Sequence, residues 1–386
     1  MQQIYLDHGA TTPTRPEAIA KMQEVMSAQW GNPSSLHAWG ERAAMVMERA
    51  RQMVADLINA EAEHIIFTSG GTEADNLALF GIARQYCQPQ HLIISSVEHS
   101  AIARPAEWLE QIGWQVTRLP VDNTGRVDPR SLVAALQPNT VLVSVIYGQN
   151  EVGAIQPIEK LAQICRDAAV WFHTDAVQAA GHMPINVQTL PVDLLSISSH
   201  KIYGPQGVGA LYVRPEVRLR PLLSGGGQEG GLRSGTQPVA AIAGFGVAAQ
   251  LAQQELATES LRLAGLRDRL FEQLSDIPDL IPTGSKQSDR LPHHASFCHS
   301  GINGRQIVRA MNAAGIAISS GSACSSGSLV PSATLLAMGY SQAQALGAIR
   351  LTLGRATTES DIDRTAQALR QAILQARSRD SYSQQA

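Results

Sequence analysis

Hydrophobic and polar positions along this chain follow two periods. Short runs rich in β-branched residues recur at 64–69 (HIIFTS), 91–96 (HLIISS), 115–120 (QVTRLP), 140–147 (TVLVSVIY), 170–175 (VWFHTD), 192–198 (VDLLSIS) and 207–213 (GVGALYV). Several are apolar almost throughout, as strands buried on both faces are. Amphipathic segments lie between most of them. In 157–168 (PIEKLAQICRDA), Ile158, Leu161, Ile164 and Cys165 recur at helical spacing. Alternating β and α elements predict an α/β fold with a mainly parallel sheet sandwiched by helices.

From about Pro238 the pattern changes. An Ala/Leu/Gln/Glu-rich stretch to about Leu274 predicts one long helix. HHASFCHS, a helix near 304–314, AIRLTLG at 348–354 and a last helix near 358–377 follow. The expected organisation is a large domain over 14–258, and a smaller α/β domain built from 1–13 with 259–386. No internal repeat is visible, and the polar end RSRDSYSQQA reads as frayed.

Composition narrows the function classes. The 386 residues are 44% hydrophobic with a formal charge of −3, enough for more than one core and no electrostatic footprint for nucleic acid. The opening MQQIYLDHGATTP has neither a basic nor an apolar leader region, so no secretory signal is expected. No run is long and apolar enough to predict a membrane span. Cys87, Cys165, Cys298 and Cys324 show no CxxC pairing, which points to a reducing cytoplasm.

Lysine is scarce. Lys21 and Lys160 fall on helix patterns and Lys286 in a polar loop, where solvated charge explains them. Lys201 instead follows an apolar strand directly, in SISSHKIYGPQGVG. There it faces the crevice where open α/β sheets bind ligands, and a buried lysine can attack a carbonyl to form a Schiff base. Asp175 also follows a strand. It is either a helix N-cap or a carboxylate that keeps a heteroaromatic nitrogen protonated, with Gln178 one helical turn on. In TSGGTEADN a strand runs through Gly70, Gly71 and Thr72 into a helix, which is an ordinary turn or a phosphate cradle. His99 and Asn150 stand just beyond two further strands. Thr72, His99, Asn150, Asp175 and Lys201 therefore converge on one sheet edge. Phosphate cradle, pyridinium partner and imine-forming lysine are together the set that pyridoxal 5′-phosphate needs.

With these residues assembled, the chain resembles the cysteine desulfurases of the IscS/NifS type, fold-type I pyridoxal-phosphate enzymes of the class-V aminotransferase family. The motifs that carry the resemblance run nearly end to end: YLDHGATTP, GNPSSLH, FTSGGTEADN, EHSA, NEVGAIQPI, HTDAVQ, SSHKIYGPQGVGALYV, GGGQEGGLRSGT, SSGSACSSGS and IRLTLGRATT. The resemblance implies that Lys201 holds the cofactor as a Schiff base and then moves protons at the substrate α-carbon. It implies that Asp175 pairs with the ring nitrogen, Gln178 bonds the phenolic oxygen and His99 stacks on the ring and joins in proton transfer. Gly71, Thr72, Ser198 and His200 bind the phosphate, and Thr236 reaches it across a homodimer interface. Asn150 and Arg350 hold the substrate carboxylate. Arg350 suits that task through its planar fork.

The implied reaction takes L-cysteine to L-alanine and leaves a persulfide on Cys324. The sulfur then passes to acceptors or scaffold proteins for iron–sulfur cluster assembly, and to other thio-cofactors or tRNA. No resident metal is implied, although Cys324 is open to a transient role as an iron–sulfur ligand. Cys324 lies in a loop of small residues at about 319–332, between Gly321 and Gly327, where a thiolate can collect sulfur and deliver it. Cys87 and Cys165 on helix patterns and Cys298 on a strand read as buried and inert. A selenocysteine lyase or other β-lyase on the same scaffold is the runner-up. An aminotransferase and a catalytically silent scaffold are opposed by the cysteine loop and by Lys201, Asp175 and His99, respectively. The chain departs from the family at His8-Gly9, where Tyr-Ser is frequent, at Gln228, Gly230 and Ser325, and in lacking a counterpart of the IscS scaffold-docking extension.

Overall fold

Each of the seven apolar runs forms a strand. A computed structural model of the chain describes residues 3–285, 288–321 and 330–383. The first part comprises β1 (Ile4–Tyr5), α1 (Pro16–Ala28), α2 (Ala38–Asp56), β2 (Ile65–Thr68), α3 (Gly71–Ala83), β3 (His91–Ser95), α4 (Ser100–Gln111), β4 (Gln115–Leu119), α5 (Pro129–Ala135), β5 (Thr140–Ser144), α6 (Ile158–Asp167), β6 (Trp171–Asp175), β7 (Leu194–Ser198) and β8 (Gly209–Val213). The second comprises α7 (Val239–Gln273), β9 (Leu280–Pro282), β10 (His294–His299), α8 (Gly304–Ala313), β11 (Ile316–Ala317), β12 (Ser319–Ser320), α9 (Ala333–Ala337), α10 (Gln342–Leu346), β13 (Ala348–Thr352) and α11 (Glu359–Ser383).

The seven-stranded sheet has the order β2-β8-β7-β6-β5-β3-β4. Only β8 runs against its neighbours, so β2, β7, β6, β5 and β3 all end at the same edge. Apolar side chains cover both faces. Phe67, Val143, Phe172 and Phe245 belong to one layer, and Leu77, Leu92, Ile94 and Leu194 to the other. That double burial explains why these strands read as continuous apolar runs. A second, antiparallel sheet (β12-β13-β10-β9) packs under Leu270, Phe297, Leu351 and Ile373.

The long helix α7 belongs to both cores. Ile242, Phe245 and Ala249 face the large sheet, while Leu263, Leu266 and Leu270 face the small one. Its first half is rich in small residues because α2 crosses it closely: a Cβ at Gly246 would lie 2.7 Å from Ala50 Cα. The N-terminal segment also joins the cores. β1 pairs in parallel with β11, and Leu6 is buried in the small core. The chain then crosses to the large sheet, where Thr12 Oγ1 donates to His200 O at 2.9 Å and accepts from Tyr203 N at 2.8 Å. Among the described residues, no helix is long and apolar enough to cross a membrane.

A buried ion pair fixes the glycine-rich loop after β8. Glu229 has φ +50°, followed by Gly230 at +64° and Gly231 at +82°, a left-handed run that glycine eases. Its carboxylate, 1% exposed, meets Arg51 Nη1 at 2.7 Å and accepts from Phe67 N at 2.9 Å. Arg51 also donates to Ile65 O at 2.7 Å, so α2, β2 and the loop share one polar knot. Arg51→Ala leaves the Glu229 carboxyl in the core without its partner. The expected loss is about 3–5 kcal/mol, read as a lower urea midpoint.

Candidate active site

A cavity of about 370 Å³ opens at the edge where the five strands end. It gathers Gly71, Thr72, His99, Asn150, Asp175, Gln178, Ser198, His200, Lys201 and Arg350, each expected there from the sequence. Thr236 does not line it in the single chain. Cys324 lies outside the described residues.

One end suits an anion. α3 starts at Gly71, so its first N–H groups point into the cavity without intrahelical partners. A Cβ on Gly71 would sit 2.7 Å from Val177 Cγ2, so glycine alone lets the helix begin this close. Ser198 ends β7, and its hydroxyl oxygen is buried without a hydrogen-bond partner. An acceptor such as a phosphate oxygen would satisfy it. His200 Nδ1 lies 3.1 Å from Thr11 Oγ1. Burial, helped by the charge of Lys201, lowers His200 to about 4, so it is neutral at pH 7.

The middle suits a protonated heteroaromatic ring. Asp175 ends β6 and accepts from Val177 N at 2.9 Å. Burial raises its pKa, while His99 and Lys201 pull it down. The chain after Asp175 does not form the helix implied by Gln178 being one helical turn on. It turns tightly, with the N–H groups of Ala179 and Ala180 both reaching Ala176 O at 2.9 and 2.8 Å. The turn still aims Gln178 inward, and its Nε2 donates to Gly9 O at 2.9 Å. His99 caps α4, its Nδ1 accepting from Ala101 N at 3.2 Å. That bond puts the proton of the neutral ring on Nε2. Burial lowers the His99 pKa, which favours this neutral form.

Lys201 Nζ donates to Gly9 O and Ala10 O, both at 2.7 Å. These carbonyls belong to the N-terminal segment, whose part in the site was not legible from side-chain chemistry. The departure at His8-Gly9 has a packing reason. A Cβ on Gly9 would meet Thr352 Cγ2 at 3.0 Å, and His8 packs edge-on against Tyr5 with ring centroids 4.9 Å apart.

Arg350 comes from β13 in the second sheet. Its Nη1 donates to Asn150 O at 2.9 Å and its Nη2 to Asp7 Oδ1 at 2.8 Å. Nε is buried without a partner. Next to Asn150, Glu151 accepts from Ser332 Oγ at 2.6 Å and Thr334 Oγ1 at 3.1 Å. A Cβ on Gly321 would lie 3.4 Å from Glu151 Oε2. One buried carboxylate thus bonds the flank that follows the cysteine loop and lies near the flank that precedes it.

Thr236 is exposed and borders a surface cleft with Trp30, Asn32, His37 and Trp39. Its loop is tied to the anion end by Arg233 Nε, 2.9 Å from Glu73 Oε1. Of the other cysteines, Cys165 and Cys298 are buried as expected. Burial pushes the Cys298 thiol up to about 12 and raises Cys165 as well. Cys87 corrects the expectation of a buried helical residue, because it is exposed. α3 stops at Ala83, Arg84 N closes the last turn on Phe80 O at 2.9 Å, and Cys87 falls in the turn that leads to Pro89.

Outside the cavity lining, Glu98 Oε1 accepts from Ile146 N at 2.8 Å, while Oε2 has no partner. Burial pushes this carboxyl up to about 8. In the unfolded chain it titrates near 4.5. The folded form thus holds an extra proton between these values, and the contribution of Glu98 to stability falls as pH rises from 4.5 to 8. Glu98→Gln keeps the acceptor and removes the titration. Its melting temperature relative to wild type should therefore rise between pH 5 and pH 8 in parallel thermal scans.

The sequence and the fold both match characterised proteins. The family model described as aminotransferase class-V matches residues 4–365. The chain is 43% identical to a protein named cysteine desulfurase IscS from Dictyoglomus turgidum, over 100% of this chain and 98% of that one. It resembles the solved structure of a NifS-like protein at 33% identity and TM-score 0.91, covering 96% of this chain and 99% of the other. A structure titled SspA in complex with cysteine matches at 34% identity and TM-score 0.79, covering 91% and 99%. Pyridoxal 5′-phosphate is the cofactor of this family. The unpartnered Ser198 hydroxyl, the Gly71 cradle, the buried Asp175 and Lys201 together fit it. By length, order of motifs and fold, the chain belongs to the class-V aminotransferase family, among its cysteine desulfurases.

Proposed function

We propose that this protein removes sulfur from L-cysteine, releasing L-alanine and leaving the sulfur as a persulfide on Cys324. The observation that carries this reading is the shared cavity. A lysine at one strand end, a buried carboxylate at the next and an arginine from the second core face a single space. The curated relative's name and the cysteine in the SspA structure support the choice of substrate.

When bound, pyridoxal 5′-phosphate supplies an electron sink that makes the substrate Cβ–S bond labile. Asp175 keeps the ring nitrogen protonated, Gln178 meets the phenolic oxygen, and Gly71, Thr72, Ser198 and His200 hold the phosphate. Lys201 anchors the cofactor, then takes and returns the proton at the substrate α-carbon. The carbonyls of Gly9 and Ala10 lie where they can receive its ammonium form. His99, with its proton on Nε2, would stack on the cofactor ring and take part in proton transfer. Arg350 and Asn150 bind the substrate carboxylate, and Arg350 Nε is available for it. The Cys324 thiolate then attacks the sulfur: one S–S bond forms as the Cβ–S bond breaks, and the electron pair stays on carbon to be protonated as alanine.

The persulfide is passed to acceptor proteins for iron–sulfur assembly, and to other thio-cofactors or tRNA. Two observations support a homodimer in which Thr236 of one protomer completes the phosphate site of its partner. Thr236 is exposed and outside its own cavity, and Trp30, Leu36 and Trp39 are exposed, with Trp30 and Trp39 beside it. The described cysteines are free thiols, in keeping with a reducing cytoplasm.

Intact-mass analysis after L-cysteine treatment should show one added sulfur on the peptide that contains Cys324, and none in Cys324→Ala. Sulfur elsewhere with Cys324 unmodified would reject this role. Arg350→Lys keeps the charge and loses the fork. It should raise KM for L-cysteine about 10-fold, more than it lowers kcat, in steady-state alanine release.

A further inference from the structure

The cavity contains an acid for which the reaction above has no task. Asp75 lies on α3, lines the cavity and is 1% exposed. One of its carboxyl oxygens, a carboxyl oxygen of Asp175 and a ring nitrogen of His99 all lie within 4.8 Å of one another. Asp75 Oδ1 has no hydrogen-bond partner. The groups that face this acid are Asp175 and His173 on β6, Ser196 on β7, and Glu98 and His99 between β3 and α4. His173 Nε2 is 3.6 Å away but is not a cation that could satisfy a carboxylate. The His173 ring is engaged by the hydroxyls of Ser144 and Ser196 at 2.8 and 3.0 Å, and burial holds it at about 3.

Two carboxyl groups this close in a dry pocket resist ionising together, and the surroundings decide which keeps a proton. Asp175 is the better anion. Burial raises its pKa, but His99, the bond from Val177 N at 2.9 Å and Lys201 pull it down. Asp75 has less help. Burial and the charge of Asp175 raise it well above the usual carboxylate range, Glu98 adds to them, and the Ser196 hydroxyl alone pulls the other way. The proton therefore rests on Asp75, and its O–H needs an acceptor. His99 is not one, since Nδ1 already accepts from Ala101 N and Nε2 carries the ring proton. Of the three groups, the Asp175 carboxylate remains. It lies within 4.8 Å, a span that a side-chain rotation closes to the roughly 2.5–2.7 Å of an O–H···O⁻ bond.

We propose that Asp75 is a positioning residue for the cofactor: its O–H donates to the Asp175 carboxylate, keeps that group an anion and so keeps the proton on the cofactor's ring nitrogen. The inference rests on the proposed pairing of Asp175 with that nitrogen. A proton shared by a carboxylate and a pyridine has two places to sit, and a dry site favours the one that leaves both groups neutral. A neutral ring is the poorer electron sink. A hydrogen bond given to a charged acceptor shifts such a balance roughly 10–100-fold. Here the shift is toward the carboxylate and the protonated ring. Asp75 acts through Asp175 and takes no proton from the substrate.

The test loads the full chain with pyridoxal phosphate carrying nitrogen-15 in its ring and reads the protonation of that nitrogen by NMR at neutral pH. Wild type should show the protonated position. Asp75→Leu is similar in size and cannot donate. It should move the signal toward the unprotonated position and lower kcat for alanine release roughly 10-fold or more, with a smaller change in KM for L-cysteine. Asp75→Asn donates through its amide and should keep the nitrogen protonated. Infrared difference spectra between wild type and Asp75→Asn should show the carbonyl stretch of a neutral carboxylic acid in wild type alone. Asp75→Val serves if the leucine variant fails to fold, and the infrared measurement needs neither. A nitrogen equally protonated in wild type and the apolar variants overturns the proposal. So does an asparagine variant that deprotonates it, or the absence of the neutral-acid stretch. Asp175→Asn separates this inference from the reading beneath it. A nitrogen that stays protonated there rejects Asp175 as its partner, whereas one deprotonated there but not in Asp75→Leu rejects the role of Asp75 alone.

Discussion

Loss of water at one edge of the seven-stranded sheet is the constraint on which the rest of this structure depends. Asp75, Glu98, Glu151 and Asp175 are all enclosed there, and burial raises the pKa of each. The same desolvation lowers His99 and His200. A dry pocket favours neutral forms unless a fixed dipole or counterion meets each charge. The fold supplies such partners from the backbone. Carbonyls of residues 9 and 10 receive the Lys201 ammonium, and the Asn150 carbonyl receives one arm of Arg350. Preformed dipoles of this kind need no reorganisation when charge moves during a reaction.

Two cores must be held in register for the pocket to exist. Lys201 and Asp175 leave the large sheet, whereas Arg350 leaves the small one and reaches back through Asp7. α7 gives this arrangement its rigidity, since one continuous helix buries its first half in one core and its second half in the other. The buried Arg51–Glu229 pair does comparable work for the glycine-rich loop that carries Thr236. Neither element lines the cavity, yet both hold segments around it in place.

Much of this was legible in the sequence. Strand ends announce themselves when a doubly buried strand, nearly all apolar, gives way to a polar residue, as at Asp175 and Lys201. The resemblance supplied what periodicity could not, namely Arg350 from a distant strand. Three things stayed hidden, each for a physical reason. The carbonyls of Gly9 and Ala10 carry no side-chain signature. Asp75 looks like any polar residue early in a helix, because its burial comes from strands far away in sequence. Cys87 was misplaced because the helical pattern of α3 runs past its true end, where Arg84 closes the last turn.

The strap formed by the first dozen residues also governs when the site can exist. Ile4 pairs with Ile316, and Leu6 is buried beside Ile349 and Leu351. A ribosome makes this segment first, but its binding partners come near the end of the chain. The large sheet can form while its future lysine ligands wander, since loop closure over some three hundred residues comes late. Pocket completion is thereby tied to the end of translation: a truncated chain would possess Lys201 and Asp175 yet lack the carbonyls and the arginine that make them a site.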